Sequence, residues 1–411
     1  MHSARWLGGL ATIATVATVG GPVAAQAAPE APATVTCPED LGPVPAVYLL
    51  TFGSDLSVET AFGHSALLLW EPARGQKSRV YDFGHFEVSD PVALVWGIAT
   101  NDQHYFVGRQ SLGRMLHDYG PLGRWVVAQR LALTPDEADA LARSLEHTLR
   151  DEDSFPYNWY RPNCTTRIGD VLDETLGGAL SAQHIGPSGT SRAREVERHA
   201  VNLPWLWFGL HWGSGHVADA ELTRWESTFL PVRLMEVAAT STIRDQPLVT
   251  DTCELLPGWM PPIPDEAPNR DPALAAIGLG AAGALLGIDR ASPRLGRAAT
   301  GLLGVAVGLF GTAALLVGIL GTFAPSWGAH NLAFASPLTL LVAVAAGWAA
   351  RRPTSPVPAR LVAAVVAIAA GGIVLALVRG FTDRNLGIVA LTVPALLAAG
   401  WTCRPRPPSP R

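Results

Sequence analysis

One segment of this 411-residue chain gathers groups suited to carbonyl chemistry: Tyr157-Asn158-Trp159-Tyr160-Arg161-Pro162-Asn163-Cys164-Thr165-Thr166-Arg167-Ile168-Gly169-Asp170. The sequence predicts a helix from Cys164 to about Leu176, stopped by Gly177-Gly178, so Cys164 stands at a helix start. Free N–H groups and the helix dipole favour negative charge there and stabilise a thiolate. Arg167, one turn on, adds positive charge, and Pro162 helps fix the approach of the chain. Such a thiolate is equipped to attack an acyl carbonyl. The bland alternative is a small buried hydrophobe.

A thiol nucleophile needs a base. The preceding histidines are His64, His85, His104, His117 and His147. His64 opens the apolar run Ser65-Ala66-Leu67-Leu68-Leu69-Trp70, which reads as a buried strand able to aim an imidazole at a helix start. The alternative is a structural, capped histidine. Asp82 and His85 lie on the next strand, in Tyr81-Asp82-Phe83-Gly84-His85-Phe86, and either is placed to orient His64 as the third member of a thiol triad. Other chemistries have less support. No Cys/His cluster has zinc spacing. His211 and His216 flank Gly213-Ser214-Gly215 and read as a Gly-rich loop rather than a metal site. There is no phosphate-cradling loop ending in Lys-Ser/Thr and no Gly-x-Ser-x-Gly. Neither metal nor cofactor is expected.

The elements around these residues predict an α+β domain over residues 37–253. Ala46–Phe52, Ser65–Trp70, Val80–Phe83 and Trp125–Leu133 read as strands. Thr134-Pro135-Asp136-Glu137 is a helix start with a capping box, continued to Leu149. Cys37 and Cys253 bracket the polar part and suit a staple in an oxidising compartment. Cys164 is then an unpaired thiol in need of a reason, and Cys403 ends an apolar helix.

Composition places the rest. The chain is 48% hydrophobic and only 16% charged, against roughly 25% charged in soluble proteins. A net charge of -5 without a basic block gives no reason to propose nucleic-acid binding. His2 and Arg5, the apolar Trp6–Gly21 and Ala25-Gln26-Ala27 read as a signal peptide over residues 1–27, the alternative being an uncleaved anchor helix. Residues 254–271 are a Pro-rich linker. Apolar segments at about 272–288, 298–323, 335–350, 360–378 and 387–403 predict five transmembrane helices, a membrane domain over 272–403. Arginines cluster in two alternate loops and in the tail 404–411, while the loop Ala324–Phe334 has no Lys or Arg. The positive-inside rule puts the tail in the cytoplasm and the polar domain outside, on the outer face of a bacterial inner membrane. A site tethered there has acyl lipids close by.

Phe62-Gly63-His64, Tyr81-Asp82-Phe83-Gly84, Asn163-Cys164-Thr165-Thr166-Arg167-Ile168-Gly169-Asp170 and Phe229-Leu230-Pro231 resemble the periplasmic domain of the Lnb-type lipoprotein N-acyltransferases. His330-Asn331-Leu332-Ala333-Phe334-Ala335-Ser336-Pro337-Leu338 resembles their membrane part. The resemblance implies a circularly permuted papain-like thiol domain followed by an all-α membrane domain. It implies Cys164 and His64 as the catalytic pair, with a phospholipid acyl donor and the N-terminal amine of a diacylglyceryl lipoprotein as acceptor. Asp82 stands where Asn is commonest in that family, and His85 is a further local difference. Asn163, Arg167, His330 and Asn331 are the expected substrate-binding residues. Two rivals stand beside this reading: a membrane-tethered cysteine peptidase or amidase of the envelope, and a non-enzymatic envelope scaffold.

Overall fold

The computed structural model describes residues 35–38, 41–57, 60–86, 103–151, 154–320, 330–334, 336–379 and 383–407. The signal peptide expected over 1–27, most of the outward loop including Trp327, and the tail beyond residue 407 lie outside the described residues.

The N-terminal part is built on one eight-stranded sheet. Its strands are β1 (Val35–Thr36), β2 (Ala46–Phe52), β3 (His64–Trp70), β4 (Arg79–Phe86), β5 (His104–Ser111), β6 (Val126–Leu131), β7 (Ser154–Pro156) and β8 (Val249–Leu256). The order across the sheet is β1-β8-β6-β2-β3-β4-β5-β7. Only the β1–β8 pair is parallel. Both faces of the central strands are covered, which is why β2 over Ala46–Leu50 and β3 over Ala66–Trp70 are apolar on both faces. Val47, Leu49, Leu67, Leu69, Tyr81 and Phe83 pack against helices on one face. Tyr48, Leu50, Phe52, Ala66, Leu68 and Trp70 pack on the other, with Leu112 and Met115.

The helices of this part are α1 (Leu112–Tyr119), α2 (Pro135–Arg150), α3 (Cys164–Thr175), α4 (Arg192–His199), α5 (Pro204–Gly213) and α6 (Pro231–Thr240). Helix α2 starts as its sequence dictates: the Thr134 hydroxyl accepts from the Glu137 N–H at 3.2 Å, and the Glu137 carboxylate accepts from the Thr134 N–H at 2.7 Å. Helix α3 buries Ile168, Val171 and Leu172 in the first core. Cys37 and Cys253 form the expected disulfide, with Cα atoms 4.8 Å apart. The bridge sits where β1 runs beside β8, and the Cys37 N–H donates to the Glu254 carbonyl at 2.9 Å.

Several elements depart from the sequence reading. Strand β8 continues to Leu256 and takes the first residues assigned to the linker. Strand β5 and helices α4 to α6 had no sequence assignment. Pro204-Trp205-Leu206-Trp207-Phe208-Gly209-Leu210-His211-Trp212-Gly213 has no clean helical period because more than one of its faces is covered.

The C-terminal part is helical: α7 (Asp271–Ala291), α8 (Pro293–Leu320), α9 (Leu340–Arg351), α10 (Val357–Arg379) and α11 (Asp383–Thr402). Five helical segments here are long and apolar enough to cross a membrane. The third, Asn331–Arg351, is broken at its start, where 3₁₀ turns at His330–Ala333 and Pro337–Thr339 precede α9. Helix α7 lies close on α11: a Cβ at Gly278 would stand 2.2 Å from the Ala390 carbonyl oxygen. At the far end of α7, buried Asp289 is held by Arg406 at 2.5 Å and Arg404 at 3.4 Å.

Candidate active site

Two chain ends meet at the site: the start of β3 and the start of α3. Gly63 turns the chain into β3 with φ of +84°, a left-handed conformation that favours glycine. A Cβ there would also stand 2.7 Å from the Phe52 carbonyl oxygen. His64 follows at once. The register of β3 on β4 pairs Leu67 with Tyr81, which carries His64 toward Gly84. A Cβ on Gly84 would come within 2.7 Å of His64 Cε1, so glycine leaves room for the ring.

Asp82 sits between two imidazoles. Its Oδ1 lies 3.3 Å from His64 Nε2 and accepts from the Gly84 N–H at 3.1 Å. Its Oδ2 lies 3.3 Å from His85 Nε2. Burial opposes ionisation of Asp82, but the hydrogen bonds and charges of both histidines prevail and hold the carboxyl far below its ordinary range. With Nε2 of His64 engaged, Nδ1 is the nitrogen available to the thiol. His85 also lines the cavity, and its side chain is 40% exposed.

Cys164 is the first residue of α3 and lines the same cavity as His64. Burial raises a thiol, yet the His64 charge and hydrogen bond outweigh it, so Cys164 titrates below an ordinary cysteine. Burial likewise disfavours the imidazolium of His64. Tyr119, Cys164 and the bonds to Asp82 and the thiol outweigh that, and the ring titrates well above the usual histidine range. The two shifts point the same way, toward a thiolate–imidazolium pair.

Asn163 holds the helix start in place. Its Oδ1 accepts from the Thr166 N–H at 2.8 Å, and the Thr166 hydroxyl accepts from the Asn163 N–H at 2.8 Å. Its Nδ2 donates to the carbonyls of Trp159 and Phe229, at 3.0 and 2.9 Å. The Asn163 carboxamide, expected to bind substrate, is thus committed to backbone. Phe229 belongs to the Phe229-Leu230-Pro231 segment, so that segment is physically joined to the cysteine loop.

The site opens into a cavity of about 590 Å³, lined mostly by aromatic and aliphatic side chains, among them Phe62, Tyr105, Trp159, Leu206, Leu210 and Phe229. Tyr157 also lines it, together with Cys164. Burial first, and then the Cys164 charge, push this phenol well above its ordinary range, so it remains a donor. The sequence reading did not single out Tyr157, although it lies in the same segment, one short loop before the cysteine. Arg124 is a second such residue: it is buried, stacks over Tyr119 at 4.8 Å and donates to the Gly53 carbonyl at 2.5 Å.

Other expected site residues lie elsewhere. The Arg167 guanidinium sits between the rings of Phe83 and Phe155, 5.4 and 5.5 Å from their centroids, and does not line the cavity. The positive neighbour that lowers the thiol is His64. Asn331 is buried at the seam between the two parts of the chain, and the side chain of His330 lies outside the described residues. Among the described residues, no three His, Cys, Asp or Glu side chains converge as a metal ion requires.

Residues 43–195 match the family described as the Lnb N-terminal periplasmic domain. No curated protein and no solved structure matches the chain. The match covers His64, Asp82 and Cys164 and stops short of α5 and the helical part. With five helices fit to cross a membrane, the chain is a multi-pass membrane protein whose residues 43–195 match the Lnb N-terminal periplasmic domain.

Proposed function

We propose that the protein is a thiol acyltransferase of the inner membrane that moves a fatty acyl chain from phospholipid to the N-terminal amine of a lipoprotein. The observation that carries this reading is a Cys164–His64–Asp82 constellation at the mouth of an apolar cavity, one wall of which is seated on the membrane helices. A peptidase for polar cell-wall peptide has no use for such a lining.

In this scheme the Cys164 thiolate attacks the ester carbonyl and forms a C–S bond. The Tyr157 hydroxyl, with the N–H groups that the first turn of α3 leaves unpaired, takes up the charge on the tetrahedral oxygen. The ester C–O bond breaks and the departing lysophospholipid oxygen takes the proton from the His64 imidazolium. The acceptor amine then attacks the thioester, neutral His64 removes its proton, and the C–S bond breaks to restore the ion pair. Asp82 holds the ring and stabilises its charged form. His64 on a strand before Cys164 on a helix is the element order of a permuted papain-like domain.

The test is mass spectrometry of the full chain, in detergent, after incubation with phosphatidylethanolamine carrying a labelled acyl chain. The expected result is a hydroxylamine-labile acyl adduct on Cys164 that a diacylglyceryl lipopeptide discharges as an N-acyl product. A reactive Cys164 that never acquires an acyl group sinks the proposal.

A further inference from the structure

Helix α5 has faces with different owners. Leu206 and Leu210, one turn apart, line the cavity. Trp207 packs with Leu274 of α7. Phe310 of α8 meets Phe208 and Trp212 at ring-centroid distances of 5.7 and 4.9 Å. One ten-residue helix is therefore both a wall of the site and a contact surface for the membrane helices.

Its C-terminal turn is held from the membrane side. The last carbonyls of a helix lack partners within it. Asn331 Nδ2 donates to the carbonyls of His211 and Trp212, at 3.3 and 3.2 Å. Asn385 Nδ2, at the start of α11, donates to Asn331 Oδ1 at 2.9 Å. Both asparagines are buried, and a buried carboxamide without partners is strongly disfavoured. The relay from Asn385 through Asn331 fixes where α5 ends. From the domain side, Glu197 of α4 holds the His211 ring at 3.0 Å.

We infer that α5 is the chain-length gauge of the site: its Leu206–Leu210 face receives the acyl chain bound for Cys164, and Asn331 and Asn385 are positioning residues that set this wall. The inference rests on the acyl-thioester reading above. With the ester carbonyl at Cys164, an acyl chain must run along the apolar lining, and α5 supplies aliphatic side chains there. Its place is dictated by residues of the membrane part. Small changes in such a wall discriminate strongly, since one methylene of misfit is worth about tenfold or more in rate.

The experiment uses the full chain in detergent micelles with p-nitrophenyl acetate, octanoate and palmitate. Sulfur attack forms the thioester and releases p-nitrophenolate, and intact mass confirms the adduct on Cys164. Each rate is divided by the same variant's iodoacetamide alkylation rate. We expect Leu210→Trp to lower the palmitate-to-acetate ratio about tenfold. Leu206→Ala should raise it by enlarging the groove. Asn331→Asp, equal in shape but unable to donate, should lower it severalfold. The two leucine variants move the ratio in opposite directions, which misfolding cannot do. An unchanged ratio in all three, with adducts still forming, overturns the inference and spares the thioester reading. A wild-type Cys164 that alkylates readily yet takes no acyl group from any ester overturns that reading, and the inference with it.

Discussion

Ser65 and Thr165 meet hydroxyl to hydroxyl at 3.4 Å, one hundred positions apart in sequence. Each is the residue after a member of the pair: Ser65 follows His64 in β3, and Thr165 follows Cys164 in α3. Both are buried. This contact pins the strand start to the helix start, and the imidazole and thiol inherit the registration. Ser65→Ala should destabilise the domain by about 0.5–1.5 kcal/mol, the usual net worth of such a bond. Thermal unfolding measures that. The same variant should alkylate more slowly at Cys164, and an unchanged rate would deny the contact its positioning role.

The ion pair sets a pH profile. Cys164 titrates below, and His64 above, their ordinary values. The thiolate is therefore present from the lowered cysteine pKa upward, and alkylation persists below the usual thiol range of roughly pH 8–9. In His64→Gln the burial penalty on the thiolate loses its main counterweight and keeps only the Thr165 hydroxyl, so the profile moves to higher pH. The rate at pH 7 should fall by about tenfold for each unit of that move. Iodoacetamide kinetics across pH 5–10 decide it, and identical profiles for wild type and variant would dismiss the pair.

Asp82 separates orientation from charge. Asp82→Asn keeps an oxygen for His64 Nε2 but removes the negative charge, so His64 falls back toward its ordinary range. We expect alkylation at neutral pH to drop about 3- to 30-fold. Asp82→Ala removes both functions and should drop it further. His85, 40% exposed and bonded to the far oxygen of Asp82, should tolerate Ala with a smaller loss. A His85→Ala defect larger than that of Asp82→Ala would reverse the assignment.

The Cys37–Cys253 bridge closes a long loop, with a sequence separation of 216. Reducing it should cost about 5 kcal/mol on a chain-entropy estimate. A melting temperature that falls on mild reduction, without change in Cys37→Ala/Cys253→Ala protein, checks this. The sulfur of Cys164 should remain alkylatable in the double variant below its new melting point.

Much of the site was legible because its parts are local signals. Cys164 at a helix start, His64 at a strand mouth and Thr134 with its capping box are each written in a few neighbouring residues. Asp82 and His85 were legible as candidates, and geometry distinguishes them, since only Asp82 touches His64. Arg167 misled because its distance from Cys164 along the helix says nothing of side-chain direction, and the guanidinium turns to Phe83 and Phe155. Asn163 lines the cavity as expected of a site residue, while its Nδ2, like that of Asn331, donates to backbone carbonyls. Helix α5 escaped because a helix covered on several faces shows no period. Tyr157 escaped because a single tyrosine in an aromatic-rich loop carries no spacing to argue from.

Strand β8 is the last strand of the sheet in sequence, yet it lies inside it, between β1 and β6. Until residues 249–256 have crossed the membrane, β6 presents an open edge and Cys37 has no partner. The domain therefore cannot close while its chain is still being threaded through the translocon. Residues 257–270 separate β8 from α7, so the strand that completes the sheet directly precedes the first helix of the membrane part in the chain. Synthesis order thus couples maturation of the thiol domain to commitment of the chain to the bilayer, and a translocation arrest before residue 249 leaves an unfinished sheet exposed to envelope proteases.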